Sequence, residues 1–87
     1  MTTVTEFTTQ DAHEIALELG IDFSTSPFDL DEFCAGLNVE LEHGRRDPST
    51  NVTGDDPIMT GKIALAHLHE MPDYYTRLAV MEAEAEA

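Results

Sequence analysis

Two short runs carry the residue types that could do chemistry: Glu40-Leu41-Glu42-His43 and His67-Leu68-His69-Glu70. Each sets a carboxylate and an imidazole three residues apart, which on a helix puts both on one face. Taken together, Glu40, His43, His67 and Glu70 are two imidazoles and two carboxylates, a ligand set that zinc, manganese or iron accepts. Whether they meet depends on the packing. In an antiparallel pair of helices His43 and His67 would stand roughly 15 Å apart at the helical rise. A parallel arrangement would bring them together. The plainer reading, in which each histidine bonds a carboxylate or a helix end, is preferred to a divalent metal, so no cofactor is expected. An acid-base pair such as His43 with Glu42 or Asp55 is conceivable, but no nucleophile stands with its base, and the sequence leans away from an enzyme.

The elements that would position these residues read as helices. Ala12, Ile15, Ala16 and Leu19 recur at helical spacing and Gly20 follows as a left-handed cap, predicting a helix over residues 10–19. Residues 1–8 read as an irregular arm. Asp29 caps a second helix, with Glu32 placed for the reciprocal bond and Phe28 and Phe33 spaced as a hydrophobic staple. Its apolar face is Leu30, Phe33, Cys34, Leu37 and Leu41, and Gly44 is the expected end. Gly36 inside it costs about 1 kcal/mol against alanine, which points to close packing by another helix. Asp56-Pro57 reads as cap and first residue of a third helix over residues 57–70, apolar on more than one face and therefore central. Met71-Pro72 breaks it. A fourth helix follows, with Tyr74, Leu78 and Met81 facing inward and an acidic tail, residues 82–87, expected to fray or lie on a partner.

Between helices two and three, the run from Asp47 to Asp56 is dense in side chains that bond their own backbone. Asn51, Thr53, Asp55 and Asp56 therefore mark a long ordered loop. The whole chain reads as a single all-α domain, residues 1–87, built as a small bundle of about four helices. A chain of 87 residues has room for one modest core.

Charge narrows the setting. The sequence has 18 Asp plus Glu against 4 Lys plus Arg, a formal net charge of -14. Such a field repels phosphate backbones, so nucleic acid is an unexpected direct partner. Acid spread along the chain, with Lys62 the one lysine, fits work in molar salt, where the Debye length is about 3 Å, and points to a halophilic source. Cys34 is alone, which leaves no internal disulfide. The start, MTTVTEFTTQ, lacks the pattern of a signal peptide, and no apolar stretch reaches the length of a membrane span.

At Glu40-Leu41-Glu42-His43, and again from Lys62-Ile63-Ala64-Leu65-Ala66-His67 through Leu68-His69-Glu70-Met71-Pro72-Asp73-Tyr74-Tyr75, the chain resembles a small uncharacterised module of tailed phages, archaeal viruses and integrated elements. That module stands alone or inside larger virion-associated proteins. The likeness covers about residues 30–81 and departs at Ala66, where many members carry Asp. Together with the charge pattern it implies a viral structural or interaction protein, located in the virion or the cytoplasm of a halophilic host, whose partners are proteins, either virion components or a second copy. Tyr74, Tyr75 and Arg77 are the expected interaction residues, since aromatic and arginine side chains suit interfaces.

Overall fold

A computed structural model describes residues 6–86; the remainder of the arm, residues 1–5, and Ala87 lie outside the described residues. Among the described residues there are four α-helices: α1 (Thr9–Leu19), α2 (Leu30–Arg46), α3 (Pro57–Glu70) and α4 (Tyr74–Glu86). None of the described helices is long and apolar enough to cross a membrane.

Local chemistry sets most of the boundaries. The Thr8 side chain accepts from the Asp11 N–H and the Asp11 carboxylate accepts from the Thr8 N–H, a reciprocal box at the start of α1. At its end Gly20 takes φ 75°. There the Ile21 N–H reaches back to the Ala16 carbonyl, which closes the last turn. Asp29 caps α2 by accepting from the Glu32 N–H at 2.9 Å. The Glu32 carboxylate does not return the bond; it accepts instead from the Thr76 N–H and hydroxyl at the start of α4.

Gly44 does not end α2, which runs on to Arg46. The reason is steric. A Cβ at Gly44 would lie 2.9 Å from the Asn51 amide oxygen, so this glycine makes room for the following loop instead of supplying a left-handed turn. The loop itself is ordered as expected. Asp47 opens a single 3-10 turn, Pro48–Thr50, and Asn51 Oδ1 accepts from the Gly54 N–H and the Thr53 hydroxyl. Asp56 then accepts from the Ile58 and Met59 N–H groups and starts α3.

The core sits around α2, which packs against α1, α3 and α4, and not around α3. Phe33 and Leu37 are fully buried on it. Phe23 and Phe28 join Phe33 in an aromatic cluster, with Phe23 edge-on to Phe28. Helix α3 buries mostly small residues, Thr60, Gly61 and Ala64, with Leu68. Its expected second apolar stripe is largely outside the core, since Met59 is 47% exposed and Ala66 is exposed. Thr60 satisfies its buried hydroxyl on the Asp56 carbonyl at 2.7 Å.

Ahead of α1, the arm is fixed at Phe7. Its side chain is buried, its N–H donates to Asn38 Oδ1 at 2.6 Å and its carbonyl accepts from Asn38 Nδ2 at 2.9 Å. At the other end α4 continues to Glu86, with every residue from Ala79 to Glu86 exposed. Met81, expected to face inward, is 60% exposed.

Candidate functional site

Glu40, on the third turn of α2, is the point where the chemistry-bearing residues gather. Its side chain is 11% exposed. The Tyr75 hydroxyl from α4 donates to Glu40 Oε2 at 2.7 Å, and His67 Nδ1 from α3 lies 3.1 Å from the same oxygen. His67 Nδ1 is also 2.9 Å from the Tyr75 oxygen. His43 Nδ1, one turn along α2, faces Glu40 Oε1 at 3.8 Å, near enough to feel the carboxylate and too far for a hydrogen bond.

Gly36 makes this convergence possible. A Cβ there would overlap the Tyr75 ring, lying 2.8 Å from its Cδ2 atom and closer still to Cε2. Only glycine lets the ring lie flat on α2 with its hydroxyl beneath Glu40. The expected close approach at Gly36 is therefore real, and its partner is a side chain of α4. Tyr74 completes the arrangement by stacking on the His67 ring, 4.5 Å between centroids and 4° between planes.

The protons follow from the network. Burial, and then the hydrogen bond to Glu40, pushes the Tyr75 phenol well above its ordinary range, so it remains a donor. With the Tyr75 hydroxyl hydrogen directed at Glu40 Oε2, the atom of His67 facing both oxygens donates in turn, and we assign the tautomer with hydrogen on Nδ1. Nε2 of His67 then keeps its lone pair on the opposite edge of the ring. Among the described residues, no side chain bonds Nε2 of His67 or His43.

The four residues expected to form a metal site divide. Glu40, His43 and His67 come together, which overturns the roughly 15 Å separation of an antiparallel pair. Glu70 is exposed and its side chain makes no hydrogen bond among the described residues. No group of three or more His, Cys, Asp or Glu among the described residues is arranged around a metal position. The acid-base pairs conceived for His43 do not form: Glu42 binds Arg46 at 3.0 Å and Asp55 binds Arg45 at 3.2 Å. Asn51, Thr53 and Asp56 are occupied in holding the loop and capping α3. Of the expected interaction residues, Arg77 is exposed and pairs with Asp73 at 2.8 Å. Tyr75 is 2% exposed and belongs to the core, which is a correction.

Tyr75 as the third member of the network is what sequence reasoning missed. The available signal was the pairing of an interior helical glycine with an aromatic doublet just after a helix break.

No curated protein and no solved structure matches the chain. A family model described as a protein of unknown function matches residues 12–84, from the first turn of α1 almost to the end of α4. With that match covering the four helices and the Glu40 network alike, the chain belongs to the DUF5661 family.

Proposed function

We propose that the chain is a small acidic protein-interaction module whose outer α4 face receives a basic amphipathic helix of a partner protein. One observation carries this reading: α4 is packed at its start only, leaving Val80 54% and Met81 60% exposed, with Met71 40% exposed nearby. Met71, Tyr74, Arg77, Leu78 and Met81 line one continuous hollow along this face. An isolated helix of this length is marginal in water, and most helical stability comes from packing an apolar face. A partner helix would supply that packing.

Charge selects the partner. Glu82, Glu84 and Glu86 lie on the exposed end of α4, and the chain carries a net charge of -14. A second copy would bring like charges together; a basic segment relieves them. The setting we propose is a virus particle or integrated element of a salt-loving host, supported by the charge pattern and the residue blocks of Glu40 to His43 and Lys62 to Tyr75. In molar salt the apolar contact would carry the binding, because charge attraction is screened within about 3 Å.

The test uses a labelled Leu/Lys amphipathic helical peptide as the probe and follows its anisotropy at low and molar salt. Met81→Glu should weaken binding about tenfold or more, a change of about 1.4 kcal/mol. Leu17→Glu, an equal charge change at a 65% exposed position of α1, should leave it unaltered. Equal losses in the two variants, or a stable homodimer buried on α4, would overturn the proposal.

A further inference from the structure

Another hollow, sharing no residue with the one on α4, lies where the arm and α1 meet the start of α3. Its volume is about 410 Å³, within the range of hollows that hold a ligand. Phe7, Ile15, Pro57 and Ile58 form its apolar lining, and its charged groups all come from α1: Asp11, Glu14 and Glu18. Those three recur at helical spacing, so one side of the hollow is a row of carboxylates. The hollows beside Phe23 and Phe28 each have a single carboxylate, that of Asp22, and it is already bonded to Ser24. On α1 the row lacks a counterion among the described residues. Arg45, Arg46 and Arg77 pair instead with Asp55, Glu42 and Asp73, and neither Glu14 nor Glu18 makes an ion pair or a side-chain hydrogen bond there.

We propose that this hollow receives an extended basic segment of a partner protein, with lysine or arginine heads on Glu14 and Glu18 and their methylene stems against Ile15, Pro57 and Ile58. Apolar lining beside carboxylates is the complement of such a side chain, whose stem covers apolar surface while its head keeps to the charge. Spacing sets the form of the segment. Glu14 and Glu18 stand about 6 Å apart along the helix axis. An extended chain brings alternate residues to one side at roughly 6.6 Å. Basic residues at alternate positions therefore meet the two carboxylates in register, while adjacent ones point to opposite sides. Asp11, one of whose oxygens already holds the Thr8 N–H, adds charge at the start of the row.

The test follows the anisotropy of a labelled peptide with lysine at alternate positions and valine between, titrated with the full chain at low salt. Glu14→Gln and Glu18→Gln, at exposed positions that leave the fold intact, should each weaken binding about threefold, and the double variant about tenfold. Two controls separate this hollow from general acidity and from the α4 face. Glu82→Gln with Glu84→Gln makes the same change of charge on α4, and Met81→Glu alters its apolar face; both should leave binding unaltered. A peptide with diaminopropionic acid in place of lysine keeps the charge and loses most of the stem, leaving the protein untouched. It should bind at least about tenfold more weakly. Equal losses in the α1 and α4 charge variants, undiminished binding of the short-stem peptide, or spermine binding as tightly as the lysine peptide would overturn the proposal, the last by assigning the hollow to a free polyamine.

Discussion

Helices α3 and α4 both lie on α2, but the contacts differ in kind. Along α3 the seam is Thr60, Gly61, Ala64 and Leu68, small residues that bring backbones close and bury apolar surface over most of the helix. Gly61 even receives the Ile15 and Leu19 methyl groups of α1. Along α4 one buried ring, Tyr75 on Gly36, is supplemented by carboxylates: Glu40 on the Tyr75 hydroxyl and Glu32 on Thr76. Apart from the His67 ring on Glu40, the α3 seam is apolar and non-directional. The α4 attachment is directional, polar and local, so α4 should come away without unfolding the rest.

The sharpest way to break this comparison is to damage both seams. Leu68→Ala removes a fully buried side chain from α3 and should cost about 2–5 kcal/mol of global stability, read as a lower midpoint in denaturant for every probe at once. If only α4 loosened, the division between the two helices would be wrong.

Tyr75→Phe keeps the ring on Gly36 and removes the hydroxyl, leaving Glu40 and His67 short of a partner. The expected cost is about 1–3 kcal/mol, seen first as faster amide exchange in α4 while α2 and α3 stay protected. The same residue gives a pH test. Its folded pKa is raised above that of the unfolded chain, so the native state holds the proton more tightly and stability is fully present below the ordinary tyrosine value. Above about pH 10 the docked state should weaken by up to about 1.4 kcal/mol per pH unit, and Tyr75→Phe should abolish that slope. An unchanged slope would mean that Tyr75 is not the group responsible.

The same division separates what could be read from the sequence from what could not. Gly20, Asp29 and Asp56-Pro57 act on backbone within a few residues, and their roles are visible in the local sequence. The small bundle and the ordered loop follow from such signals. Gly44 was misleading because glycine serves two ends, a left-handed turn or a close approach, and the sequence does not say which. The partners of Glu32, Asn38 and Glu40 lie 44, 31 and 35 residues away along the chain, and only the packing of α2 selects them. In the candidate site, the Glu40–His43 spacing was legible, while the junction with His67 and Tyr75 depended on how α3 and α4 lie on α2.

Glu32 gives the smallest and most specific test of that tertiary dependence. In a self-contained cap, its carboxylate would serve the start of α2, and Glu32→Ala would loosen α2. Here it receives the Thr76 N–H, one of the unpaired donors of the first turn of α4, together with the Thr76 hydroxyl. The contact is exposed, so water replaces much of what is lost and the expected cost is about 1 kcal/mol. That loss should appear as amide exchange in α4, with the α2 amides unchanged because Asp29 still caps them. A double-mutant cycle with Thr76→Val should give non-additive losses, since one variant removes the acceptor and the other a donor of the same bond. Additive losses, or faster exchange at the start of α2, would return Glu32 to the local role its spacing from Asp29 implies and leave the fastening of α4 to Tyr75 and the side chains packed beside it, Tyr74 and Leu78.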